Sequence, residues 1–180
     1  MLKNDCVTKL INLEGIKFID INIQEDNVRI FVSTLQGLQL CPTCCKPTSK
    51  LVDVTPKIYR DLDLIGRTCY IEVDQKRFEC RDCFCTFTES LSFAAPYRHF
   101  THRFEDEIYE CCRETTATYA ATKFGISDKT AAEIYHTRAK LKQELRPILP
   151  TEVIGIDEIS MHKGHKDFVV VISDLTNKKV

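Results

Sequence analysis

The sequence predicts a multi-unit α+β chain, and three observations carry that prediction. Two Cys-x-x-Cys pairs, Cys41/Cys44 and Cys80/Cys83, lie among segments of period-two hydrophobicity. Between residues 101 and 146 the period becomes helical, and from Val153 it returns to two. At 180 residues and 43% hydrophobic, the chain can bury a real core while dividing into small units.

Residues 1–40 read as a β-rich lead-in. Ile16 to Ile23 alternates apolar and polar side chains, Glu25-Asp26-Asn27 makes a turn, and Val28 to Leu35 continues as a strand. Residues 41–95 read as a zinc ribbon. Zinc takes four ligands tetrahedrally, and a tight Cys-x-x-Cys turn presents two thiolates at that angle. The expected metal ligands are therefore Cys41, Cys44, Cys80 and Cys83, with Cys45 and Cys85 as open substitutes. Many zinc knuckles place a glycine after the second cysteine, where this chain has Cys45 and Phe84. Between the pairs, Thr68 to Phe78 has a strand pattern with Cys69, Ile71 and Val73 on one side.

Residues 96–146 read as a helical block. Phe104, Ile108, Cys111 and Cys112 recur at helical spacing, and Ala117, Ala120 and Ala121 mark a second short helix. Gly125 interrupts it, Ile126 fills the space between helices, and Ser127 caps a third helix through Ala131, Ile134, Tyr135, Arg138 and Leu141. This is helix-turn-helix character. The second helix of such a motif meets base edges in the major groove, so Ser127, Lys129, Thr130, Glu133, Thr137 and Lys140 are the expected DNA-binding residues. An ordinary helical hairpin with solvated lysines is the competing reading. Residues 127–146 carry five basic and three acidic side chains, a weak positive bias, and the formal net charge of the chain is -1. Bulk composition thus does not point to nucleic acid.

Pro147 and Pro150 make a linker, and 147–180 opens a further unit with strands at Val153 to Ile159 and Phe168 to Ser173, both expected to be buried. Asp157 and Glu158 place carboxylates in an apolar strand, which requires solvent, a cation or a metal. Surface decoration is the plainer account of such a pair. Asp174 reads as a turn residue.

Ten cysteines accompany an N-terminus, Met1-Leu2-Lys3-Asn4-Asp5-Cys6, without the apolar run of a signal peptide. No stretch approaches the roughly 18 apolar residues of a membrane span. A cytoplasmic protein with no membrane partner is expected, with its cysteines reduced and available to metal.

The order of these features resembles the bacterial insertion-sequence transposases of the ISL-three family. The resemblance rests on Cys41-Pro42-Thr43-Cys44, on Tyr59-Arg60-Asp61-Leu62-Asp63 with Gly66-Arg67, and on Lys76-Arg77-Phe78-Glu79-Cys80 followed by Phe87-Thr88-Glu89. It continues through the helix-turn-helix to Ile154-Gly155-Ile156-Asp157-Glu158 with Lys163-Gly164-His165. It implies that 147–180 begins an RNase-H-like domain, with Asp157 as the first catalytic residue of an Asp-Asp-Glu triad that holds magnesium when complete. It also implies double-stranded DNA as partner, at terminal inverted repeats, and leaves a homo-oligomer open. On this reading the chain is a truncated transposase that binds element ends and does not cut them alone. A DNA-binding repressor or competitor of intact transposase, and a zinc-stabilised protein-interaction module, are the alternatives.

Overall fold

The computed structural model describes residues 9, 11–35, 37–145, 150–162 and 166–177. The expected linker prolines at 147 and 150 are only half covered, since 147 lies outside the described residues, as do Arg146 and the Lys163-Gly164-His165 stretch. The architecture is mixed α+β, in two compact units, Met1–Ala139 and Lys140–Val180.

The first unit is built on one sheet. Strands β1 (Ile16–Ile23), β2 (Asn27–Thr34), β5 (Leu51–Leu64) and β6 (Arg67–Glu79) stand in the order β1-β2-β6-β5, and β7 (Thr86–Thr88) pairs with the end of β6. The short pair β3 (Gln39–Leu40) and β4 (Pro47–Thr48) leads into and out of the first knuckle. β2 runs parallel to β6, so strands from both sides of residue 40 share one sheet, and the lead-in is continuous with the ribbon. Alternation explains the pairing. Val28, Ile30 and Val32 of β2 and Cys69, Ile71 and Val73 of β6 all face one core, joined by Ile16, Phe18 and Tyr59 and covered by Leu91, Phe93 and Ala94.

β5 is a long strand that period-two reading did not separate. Its first part, Leu51–Ile58, is exposed, and its apolar side chains do not alternate with burial there. The hairpin to β6 turns at Ile65 and Gly66, both with positive φ (51° and 72°). Two consecutive positive φ values give the turn whose twist matches the flanking strands.

At its far end β5 joins the helices α1 (His102–Glu114), α2 (Ala117–Phe124) and α3 (Asp128–Glu144). Arg60 N–H donates to the His99 carbonyl at 2.8 Å, and Thr101 N–H donates to the Arg60 carbonyl at 3.0 Å. Asp61, with no exposed surface, accepts from Arg103 Nε at 2.7 Å and from Thr101 Oγ1 at 2.6 Å, and its second oxygen meets Arg103 Nη2. Arg103 Nη1 also reaches the Ile11 carbonyl at 2.6 Å. Leu62 and Phe100 pack onto the helical core of Phe104, Ile108, Ala121, Ala131 and Ile134. The Arg60 guanidinium lies 5.0 Å from the centre of the Phe104 ring.

The second unit contributes a hairpin, β8 (Ile154–His162) against β9 (Lys166–Asp174), with Asp157 opposite Val171. These strands were expected to be buried, and here they are not. Ile154, Ile156, Ile159, Phe168, Val169, Val170 and Ile172 are exposed, because a two-stranded ribbon offers no second layer to cover either face. Asp174, expected in the turn, is the last residue of β9, and its side chain holds the turn that follows. It accepts from Asn177 N–H at 2.9 Å and from Thr151 Oγ1 at 2.8 Å, and the Asn177 amide is the largest influence lowering its pKa.

Arg103→Ala is expected to destabilise the first unit by about 3 kcal/mol, because it leaves a buried carboxylate without its cation. Urea unfolding measures this, and a loss below about 1 kcal/mol would refute the clamp as an energetic element.

Candidate metal centre and nucleic-acid interface

Each Cys-x-x-Cys pair lies on a tight turn, and the two turns are built alike. Cys45 N–H donates to the Cys41 carbonyl at 2.9 Å, and Phe84 N–H donates to the Cys80 carbonyl at 3.1 Å. Cys41 N–H returns to the Lys46 carbonyl and Cys80 N–H to the Cys85 carbonyl, both at 2.9 Å. Cys45 and Phe84 occupy the left-handed region at φ 58° each. Glycine adopts that conformation most easily, which is why a glycine is the common residue after a knuckle; this chain imposes it on side chains that project outward. Cys45 and Phe84 are both exposed.

The antiparallel β5–β6 ladder and β7 bring the second turn onto the first. Lys50 Nζ bonds Glu79 at 2.5 Å and Lys46 Nζ bonds Asp82 at 2.7 Å, both across the two turns. The sulfurs of Cys41 and Cys83 then stand 3.5 Å apart, as do those of Cys44 and Cys80, and all four lie within 4.8 Å of one another. These separations exceed a disulfide bond of about 2.05 Å. A tetrahedral ion with metal–sulfur distances of about 2.3 Å sets its sulfurs about 3.8 Å apart, so the observed spacing fits one ion among four thiolates. Cys45 and Cys85 stand outside the cluster, and Cys85 Sγ faces the Thr86 carbonyl.

Backbone amides favour thiolate in the first cysteine of each turn. Cys41 is held down to about 6, chiefly by the Cys44 amide and then the Thr43 amide, against desolvation. The Cys83 and Asp82 amides likewise lower Cys80. For Cys83 the Cys85 amide pulls down, but desolvation and the neighbouring sulfurs of Cys41, Cys44 and Cys80 outweigh it and push the thiol up to about 12. Four close thiolates repel, and a bound cation removes that repulsion.

The helices form the second candidate site. Thr101 caps α1 through Phe104 N–H, and Thr116 caps α2 through Tyr119 N–H. Gly125 ends α2 at φ 65°, ψ 37°, and Ile126 N–H bonds the Ala121 carbonyl at 3.0 Å, closing a left-handed cap. Ile126 packs on the core between the helices. Ser127 Oγ accepts from Thr130 N–H at 3.1 Å, which caps α3, and the two hydroxyls share a hydrogen at 2.7 Å.

Of the expected DNA-binding residues, Ser127, Lys129, Glu133, Thr137 and Lys140 are exposed and Thr130 is half-buried. Glu133 is not free. Its carboxylate bonds Arg98 Nη1 at 2.7 Å, and Arg98 Nε bonds the buried Glu105 at 2.8 Å. Sequence reasoning missed Arg98, which lies 35 positions from Glu133 and is brought to it only by the helical packing. Arg138 likewise turns inward, to Asp106 at 3.2 Å and Glu105 at 3.5 Å.

Asp157 is exposed on β8, and its Oδ1 accepts from Glu158 N–H at 2.9 Å. Among the described residues, the four cysteines are the group that gathers three or more metal-ligand side chains, and Asp157 belongs to none. No helix among them is long and apolar enough to cross a membrane.

Comparison with known proteins places this geometry in a class. Residues 89–139 match the helix-turn-helix domain of transposase family ISL3. That segment begins at Glu89 and ends within α3, so it contains all three helices' packed core. The chain is also similar to the transposase for insertion sequence element IS1001 of Bordetella parapertussis, at 20% identity over 146 residues. The match covers 81% of this chain and 36% of that protein, so the chain spans about a third of the length of the curated relative it matches. No solved structure matches. The chain thus resembles insertion-sequence transposases, and its likeness to the ISL3 family is carried by the helix-turn-helix segment.

Cys41→Ser or Cys80→Ser is expected to abolish stoichiometric metal binding and unfold the two turns, while Cys45→Ser and Cys85→Ser retain one metal per chain. Metal analysis and cobalt–thiolate absorption measure both, and retention in the Cys41 and Cys80 variants would overturn the ligand set. Affinity for the metal should fall as pH is lowered, since the ligands bind as thiolates.

Proposed function

We propose that this chain is the DNA-engaging part of an insertion-sequence transposase, holding duplex DNA at the terminal inverted repeats of its element. The observation that carries this reading is the helix-turn-helix itself. A capped α3 presents the exposed Lys129 and Thr137, with the half-buried Thr130 beside them, within the segment that matches a transposase helix-turn-helix. Lys129, Thr130 and Thr137 then meet base edges in the major groove, and Lys140 meets phosphate.

The four-cysteine cluster supports zinc in a structural role. With four thiolates it leaves no open position for substrate. Bound there, zinc supplies folding energy, about 10–16 kcal/mol apparent for such sites, to a pair of turns with little apolar core. In the domain division that accompanies this proposal, 1–95 forms the zinc-stabilised sheet, 96–146 reads DNA, and the segment from 147 opens an RNase-H-like catalytic domain. The apolar runs on both faces of the β8–β9 hairpin support that last assignment, because strands of a sheet covered on both sides carry such runs.

Asp157 is then the first aspartate of the Asp-Asp-Glu set. A two-magnesium site needs several carboxylates converging on the metals, and among the described residues none gathers with Asp157. The chain by itself therefore binds and does not cut. That same arrangement favours a second reading, in which the chain competes with complete transposase for element ends; co-expression would then lower transposition.

Binding is expected to weaken steeply between low and moderate salt, and Lys140→Ala to lessen the slope of log affinity on log salt by about 1. Fluorescence anisotropy with element-end duplexes measures this. Absence of binding even at low salt would favour a zinc-stabilised protein-interaction module instead. Magnesium-dependent cleavage of those duplexes by this chain alone would refute its catalytic incompleteness.

A further inference from the structure

We propose that the turn from Ala95 to Arg98 is a second DNA contact beside α3, in which Tyr97 meets the sugar–phosphate backbone of the duplex. The proposal rests on the DNA-binding reading above. Arg98 N–H donates to the Ala95 carbonyl at 3.2 Å, Pro96 takes the second position of the turn, and Tyr97 takes the third at φ 61°. This is the type II pattern, whose third position calls for glycine because φ is positive. Tyrosine there is strained and gains nothing from packing, since its relative exposure is 101%. Conformations of this kind persist where the surroundings hold them, and they gather at functional sites.

The surroundings do hold this one. Arg98, the next residue, is tied to the buried Glu105 of α1 and to Glu133 of α3, at 2.8 and 2.7 Å. Glu133 lies one turn beyond Lys129 and Thr130, so it shares their face of the helix. Tyr97 is therefore anchored beside the surface proposed to enter the groove. The Arg98 pairing also offsets the charge of Glu133, the carboxylate nearest Lys129 and Thr130 on that face. Residues 95–99, Ala-Pro-Tyr-Arg-His, contain no acid. A rigid aromatic with a terminal hydroxyl suits a phosphate oxygen as acceptor, with the ring lying along the sugar. Such contacts set register on the duplex without reading bases.

The test uses the full chain, Tyr97→Gly and Tyr97→Phe, with mixed-sequence and element-end duplexes in anisotropy, and thermal melting of each variant. Tyr97→Gly is expected to bind both duplexes about tenfold more weakly, the scale of one hydrogen bond to a charged group. The salt slope should stay unchanged because no charge is lost. Its melting temperature should hold or rise, because glycine accepts the turn without strain. Tyr97→Phe should lose most of the same affinity, and full retention would overturn the phosphate bond. Unchanged affinity in Tyr97→Gly, beside a wild type that binds, overturns the contact; a fall in melting temperature does so too, by making Tyr97 structural. A wild type that binds no duplex refutes the DNA-binding reading itself, and the contact with it.

Discussion

A carboxylate buried without exposed surface has to be answered by a cation and by hydrogen bonds, and at Asp61 that requirement organises the whole first unit. Arg103 answers with two nitrogens and Thr101 with its hydroxyl. Both partners also do something else. Thr101 caps α1, and Arg103 holds the Ile11 carbonyl in the segment that precedes β1. One side chain on β5 thus sets where α1 starts and how the helices meet the strands. The Arg-Asp-Leu stretch that marks the family resemblance has a physical meaning here: Arg60 stacks on Phe104, Asp61 takes the clamp, and Leu62 enters the helical core.

The cysteine cluster lies at the opposite end of the same ladder. From Asp61 back to Leu51 is ten residues of strand, roughly 33 Å at about 3.3 Å per residue. Over that length β5 passes from a buried hub to an exposed strand beside the knuckles. Apolar burial fades along it, and the four-cysteine cluster, which fits a metal ion, lies where the core runs out.

Electrostatics explains why bulk composition says little about partners. Several arginines of the first unit are committed to internal pairs: Arg98 to Glu105 and Glu133, Arg103 to Asp61, Arg138 to Asp106. Acidic residues that would count against nucleic acid are in part the buried counterparts of those arginines. A net charge of -1 therefore says little about the charge of any one face. On α3 the exposed cations are lysines, and of its three acids Glu133, in the middle of the helix, is paired with Arg98.

Local chemistry by itself determined a good deal of this protein. Paired cysteines at ligand spacing, the alternation of β2 and β6, Gly125 followed by a capping Ser127, and the turn at Asp174 were all legible, because each depends on residues within a few positions of one another. Tertiary structure decided what depends on distant partners. The parallel pairing of β2 with β6 merged the lead-in and ribbon into one sheet, and the edge strand β5 went unseen because exposure blurs its alternation. The Asp61–Arg103 and Arg98–Glu133 pairs join residues 42 and 35 positions apart, and no local pattern announces them. Cys83 was the expected ligand from its spacing to Cys80, and setting aside the open substitute Cys85 needed three dimensions. Both follow Cys80 closely in sequence, and only the turn geometry aims one sulfur inward and the other away.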